Sequence, residues 1–79
     1  MPDDDQERLP LPPYQRIAAD LREQIASGAL APGGLVPSIT RLSQEYGVSR
    51  NTAVKALQTL AREGLTYRVP GWGTFVAGQ

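Results

Sequence analysis

Between two stretches of helical periodicity the chain places Gly47-Val48-Ser49, and those three residues leave it few folds to choose from. A glycine supplies the left-handed conformation that stops one helix, and a serine two residues later caps the next. With one residue between them, the helices must pack at a steep angle, and Val48 is expected to bury itself where they meet. Upstream, Ser38 is the natural cap of a helix that turns Ile39, Leu42 and Tyr46 inward. Downstream, Ser49 caps a helix running to Gly64. Advancing about 100° per residue, its Ala53, Ala56, Leu57 and Leu60 fall in one arc facing the core.

The flanks complete the layout. Pro13 suits the first turn of an earlier helix, where its missing N–H costs nothing. From there Tyr14, Ile17, Ala18, Leu21 and Ile25 form an apolar stripe at i, i+3, i+4, i+7 and i+11, opposite Arg16, Asp20, Arg22 and Glu23. Gly28 ends that helix, and Leu30 and Ala31 lead into a turn at Pro32-Gly33-Gly34. Leu35-Val36-Pro37 has length for no more than a minimal third strand at 35–36. After Gly64 the period changes to alternation. Leu65–Val69 and Thr74–Ala77 read as strands joined by Pro70-Gly71-Trp72-Gly73, with at least one of Phe75 and Val76 in the core. Helix, helix, tight turn, helix and hairpin make an α+β fold. It is a winged helix-turn-helix, three helices followed by a two-stranded β-hairpin wing.

With 79 residues there is room for one domain, expected over 13–79, and a tail over 1–12 rich in acid and proline that has little to bury. The chain has no cysteine and no histidine, which removes disulfides and the commonest zinc sites. No metal, no cofactor and no nucleophile–base constellation is expected, so an enzyme is the weakest reading. Nothing resembles a signal peptide, and no apolar run approaches the roughly 20 residues of a membrane span. The expectation is no membrane partner and a cytoplasmic, nucleoid-associated protein. The net charge of zero hides an asymmetry. Residues 1–12 set four carboxylates against Arg8, a net −3, and the remainder sets seven cations against four carboxylates, a net +3. Such asymmetry hints at a polyanionic partner.

The third helix sharpens that hint. Its outward arc holds Asn51, Lys55, Gln58 and Arg62, flanked by Thr52 and Thr59, with Val54 on the border and no carboxylate before Glu63. A solvated helix more often mixes both signs. Ser49 and the free N–H groups of the first turn suit a phosphate, helped by the helix dipole, although the hydroxyl is equally a plain cap. Arg50 has the reach for guanine O6/N7 or for a phosphate. Asn51 matches adenine N6/N7, Thr52 a phosphate or a thymine methyl, and Lys55 a phosphate. At the hairpin, Gly71 and Gly73 permit a close backbone approach, with Arg68 supplying charge beside them. Trp72 either joins that contact or folds back as a lid on the helices.

Tyr14, Leu21, Ile25, Ser27-Gly28, Pro32-Gly33, Pro37-Ser38, Gly47-Val48-Ser49-Arg50, Thr52, Ala56-Leu57, Leu60, Glu63-Gly64-Leu65, Gly71 and Gly73-Thr74-Phe75-Val76 together resemble the GntR family of bacterial transcription regulators. The resemblance covers 13–77. It implies a winged-helix domain that binds operator DNA as a dimer, with Ser38, Ser49, Arg50, Asn51, Thr52 and the wing-tip Gly71 at DNA-contacting positions. Two places depart from the pattern. The family usually has an acidic residue and then arginine after the serine of helix two. Here Ile39-Thr40 stand there and Arg41 follows, so Thr40 and Arg41 join the DNA-facing candidates. Val54 replaces the usual recognition-helix arginine, with Lys55 after it. The family normally continues into an effector-binding, dimer-holding domain. A chain ending at Gln79 is expected to have no small-molecule effector site of its own, as a stand-alone module or an excised domain.

The resulting expectation is a sequence-specific binder of double-stranded operator DNA, a transcriptional regulator acting as a repressor and pairing as a homodimer. The alternative is a protein-interaction winged-helix module using Trp72, Val54 and the exposed face of the first helix. The acidic tail is expected to compete with DNA for the basic face.

Overall fold

The computed structural model describes residues 11–78. Apart from Leu11 and Pro12, the expected acidic tail lies outside the described residues, as does Gln79. Three helices and a hairpin follow in the anticipated order: α1 Pro13–Ser27, α2 Ile39–Tyr46, α3 Arg50–Arg62, β1 Thr66–Val69 and β2 Gly73–Val76.

Local chemistry sets the helix ends. Pro13 occupies the first turn of α1, and Gly28 closes it in the left-handed conformation, its N–H on the Ile25 carbonyl. Ser38 Oγ accepts from the Arg41 N–H at 3.1 Å, and Ser49 Oγ from the Thr52 N–H at 3.2 Å. Each cap satisfies one of the donors that a helix start leaves without an internal partner. Gly47 turns the chain between α2 and α3 at φ 65°, a conformation costly for residues with a Cβ. The third helix stops at Arg62 rather than continuing to Gly64. Glu63 caps it with its N–H on the Thr59 and Leu60 carbonyls, Gly64 takes φ 80°, and the Leu65 N–H returns to the Leu60 carbonyl at 3.0 Å. That closure consumes orphan carbonyls that further helix would have left open.

β1 and β2 pair antiparallel, with Thr66 opposite Val76 and Val69 opposite Gly73. Against the expected 65–69 and 74–77, the first strand starts one residue later and the second is displaced one residue toward the N-terminus, although the Ala77 N–H still reaches the Leu65 carbonyl at 2.9 Å. The minimal third strand is a single bridge, Leu35 to Phe75, flanked by Val36 N–H to Thr74 O at 2.8 Å and Val76 N–H to Gly34 O at 2.9 Å. It fastens the loop before α2 to the wing.

Ile17, Ala18 and Leu21 from α1, Leu42 from α2, Ala53, Ala56, Leu57 and Leu60 from α3, with Val36 and Val76, form the buried core. Ala53 and Ala56 are both 0 % exposed, and such small residues let α3 approach its neighbours closely. Of the alternating pair in β2, Val76 is buried. Phe75 is half-buried and stacks on Tyr67 with ring centroids 5.9 Å apart. Val48 is half-buried against the core rather than enclosed.

Three contacts fix the helices relative to one another. Ser43 stitches the turn, donating from Oγ to the Val48 carbonyl at 2.6 Å while its own carbonyl accepts from the Gly47 and Val48 N–H groups. Removing a partly buried bond of this kind costs about 1 kcal/mol, so Ser43→Ala is expected to lower the unfolding free energy by that amount, read as a lower denaturant midpoint with the m-value unchanged. The Tyr46 hydroxyl donates to Asp20 at 2.9 Å, linking α2 to α1. Burial, then that bond, push the phenol up to about 12. Its contribution is therefore complete below the ordinary value of 10.0 and is lost as pH rises through about 12.

Arg22 reaches from α1 to Glu63 in a bidentate pair at 2.9 and 2.8 Å. The hydrogen bonds from Arg22 hold the Glu63 carboxyl below its ordinary 4.5. A proton thus binds Glu63 less tightly in the folded state than in the unfolded one. The stabilisation is present above about pH 4.5 and is lost as pH falls through the lower folded value. Thermal melts across the acid range are expected to fall less steeply for Glu63→Gln than for the parent chain.

Candidate nucleic-acid interface

The starts of α2 and α3 lie beside one another and beside the wing. Ser38, Thr40, Arg50, Arg68, Gly73 and Thr74 line a single hollow, with Ile39 and Leu57 behind them. No carboxylate lines it. Arg50, on the first turn of α3, donates from Nη1 to the Thr40 hydroxyl of α2 at 2.9 Å. One guanidinium edge is thereby held across the turn, while the exposed side chain keeps further donors for a planar bidentate acceptor.

Beside Arg50, Ser49 Oγ lies 3.1 Å from Thr52 Oγ1 as well as capping the Thr52 N–H. Two hydroxyls and a helix N-terminus therefore converge, a setting that favours an anionic oxygen. Asn51 is exposed on the same first turn. The sequence-predicted residues Ser38, Thr40, Ser49, Arg50, Asn51, Thr52 and Arg68 are thus gathered at the two helix starts and the adjoining strand.

The others sit apart. Arg41 is exposed and paired with Glu45 at 2.9 Å along α2, an exposed pair that an incoming phosphate can replace. Lys55 points toward α1, its ammonium 4.6 Å from the centroid of the Tyr14 ring, which fixes the charge at the edge of the surface away from Arg50. Gly71, at φ 83°, and Trp72 form the hairpin tip. Trp72 is 78 % exposed, so the reading in which its indole covers the helices is corrected. Trp72 lines an open hollow with Gly33, Tyr67, Val69 and Phe75, none of them helical, and its N–H bonds to the Val69 carbonyl at 2.9 Å.

Sequence reasoning missed Thr74 and Arg16. Thr74 is cross-strand from Arg68 and shares its face, a pairing that follows from register and not from spacing. Arg16 is exposed on α1 as expected, and it shares a second open hollow with Pro13, Tyr46, Gly47 and Val48 beside the turn. Among the described residues no group of acidic side chains is clustered to hold a metal, and no helix is long and apolar enough to cross a membrane.

The family model for bacterial regulatory proteins of the gntR family matches residues 13–76. The HTH-type transcriptional repressor NagR of Bacillus subtilis is 43 % identical over 68 residues, covering 86 % of this chain and 28 % of the relative. The histidine utilization repressor of Klebsiella aerogenes is 41 % identical over 68 residues, covering 86 % and 28 %. The chain therefore spans little more than a quarter of the length of these curated relatives. Among solved structures, the DNA-binding domain of AraR in complex with operator ORR3 superposes with a TM-score of 0.84 at 39 % identity, covering 87 % of this chain and 83 % of that one.

Proposed function

The chain belongs to the GntR family of bacterial regulatory proteins, and from that premise we propose that it binds operator DNA sequence-specifically and regulates transcription, as a repressor, by occupying the operator. The observation that carries this reading is the acid-free hollow in which Arg50 and Arg68 meet two capped helix starts. The first turn of α3 enters the major groove, where Arg50 reads a guanine and Asn51 an adjacent base. Ser38, Ser49, Thr52, Arg41 and Lys55 hold phosphates, and Arg68 with Gly71 and Trp72 carries the wing to the neighbouring groove.

One α3 and one wing cover a half-site, so two copies occupy an inverted repeat. Residues 13–79 form the binding domain, and the segment 1–12, at net −3, competes with DNA for the basic face. The protein acts in the bacterial cytoplasm, on the nucleoid.

Affinity measured against salt tests the reading. If Arg41, Lys55 and Arg68 each neutralise one phosphate, log affinity falls against log salt with a slope of about −3 per chain. A second reading, a protein-interaction module, is favoured by the exposed Leu35, Tyr67 and Trp72. It requires a slope near zero and no DNA complex at low salt.

A further inference from the structure

The exposed arc of α3 has two different borders. Toward the wing, Val54, Gln58 and Ala61 line a cleft with Arg68 and Thr74. Toward α1, Thr59 and Arg62 line a hollow with Leu11, Tyr14 and Gln15. A helix seated in the major groove lies between two phosphate strands across a gap of about 12 Å. Ser38 and Arg68, which share the hollow at Arg50, stand on the wing side and serve one strand. The α1 side faces the other, and it carries a set of donors already joined to one another. Lys55 Nζ lies 4.6 Å from the centroid of the Tyr14 ring, within the range of a cation–π contact. Gln15 Nε2 donates to the Tyr14 hydroxyl at 3.1 Å, which leaves the phenolic proton free to donate outward. Lys55 and Gln15 are exposed, and Lys55 has no ion pair among the described residues. Glu63, which also lines the hollow, is committed to Arg22 by two hydrogen bonds.

We propose that Tyr14, Gln15 and Lys55 form a clamp for a phosphate on the second strand bordering the major groove, with the Tyr14 ring as the post that positions Lys55. This rests on the DNA-binding reading and adds to it two residues of α1 and the strand they hold. Lysine is a compact charge on a long flexible stem, and holding it over a ring orders it before the phosphate arrives. The ammonium keeps donors for that phosphate, and the Tyr14 hydroxyl and Gln15 amide supply neutral ones beside it. Phosphate contacts carry no base preference, so this clamp strengthens binding to every duplex, unlike Arg50.

Anisotropy of labelled duplexes titrated with the full chain over a range of salt is the test, with each variant first shown to be folded by circular dichroism. Lys55→Gln is expected to make the slope of log affinity against log salt shallower by about one per chain. Gln15→Ala and Tyr14→Phe are expected to weaken binding about threefold each with the slope unchanged, because neither removes a charge. Tyr14→Leu differs from Tyr14→Phe by the ring alone. That difference is expected to be about two- to fivefold in the parent and to vanish in the Lys55→Gln background. A ring with a purely structural role would cost the same in both. Neutral methylphosphonates placed singly along a duplex selected by the chain locate the contact. Sensitivity lost with Lys55→Gln is expected on one strand, and sensitivity lost with Arg68→Gln on the other. An unchanged slope for Lys55→Gln, an equal cost of ring removal in both backgrounds, or both sensitivities on one strand would overturn the clamp while DNA binding stands. No complex with any duplex at low salt would instead defeat the DNA-binding reading, and the clamp with it.

Discussion

Arg50→Ala is expected to reduce affinity for the specific operator by about 1–3 kcal/mol, roughly five- to 150-fold, with a smaller loss on random duplex. The inequality is the informative part. Arg50 is already tethered by one donor to Thr40 at 2.9 Å, which lowers the cost of ordering the guanidinium before it meets a base. Arg50→Lys is expected to recover little of the loss, because an ammonium cannot reproduce the planar fork. Thr40→Val, which removes the tether and keeps the charge, should produce a smaller loss in the same direction. Competitive titration of specific and random duplexes checks all three. Equal losses on both duplexes would make Arg50 a backbone contact. The variant should melt close to the parent, since Arg50 is exposed and its one bond is at the surface.

Leu60→Ala is expected to have the largest effect on stability, about 2–5 kcal/mol. Leu60 is 0 % exposed and among the largest fully buried side chains, so its removal leaves a cavity under the last turn of α3. A domain of this size has a stability of only several kcal/mol, and each kcal/mol lost lowers the melting temperature by about 4–8 °C. The variant should melt at least about 8 °C below the parent. Its loss of DNA binding should differ in kind from that of Arg50→Ala. Saturating operator stabilises the folded form by mass action, so DNA is expected to raise the melting temperature of Leu60→Ala. Arg50→Ala should gain much less from the same DNA. Calorimetry with and without duplex separates the two.

The contrast reflects what could be read before the fold was known. Helix existence and facing were legible because period and caps are local: Ser38, Gly47, Ser49 and Gly28 act within four residues of themselves. The wing was legible in the change from helical to alternating period, with ends off by one because hydrogen bonding continues past the regular strand. Illegible features all join distant residues. Arg22 meets Glu63 across 41 positions, and Tyr46 meets Asp20 across 26. Arg22, Glu63 and Asp20 would pass for solvated surface charge in a linear reading, and Tyr46 for a plain core residue.

At the site, residue types were legible and their grouping was not. The N-terminal turn of α3 identified Ser49, Arg50, Asn51 and Thr52. Only the packing of α2 against α3 brought Thr40 to Arg50, and only strand register brought Thr74 to Arg68. Lys55 was placed on the outward arc correctly, but its attraction to the Tyr14 ring depends on how α1 crosses α3. The orientation of Trp72 could not be read because the hollow it shares with Tyr67 and Phe75 is set by strand register rather than by spacing along the chain.

Selection of bound duplexes from a random pool by the full chain tests the central claim most directly. Sequence-specific binding by two copies through Arg50 and Asn51 predicts one enriched inverted repeat, with a guanine in each half-site whose enrichment disappears for Arg50→Ala. A pool that emerges unenriched, or enriched identically by the parent chain and by Arg50→Ala, would contradict the account.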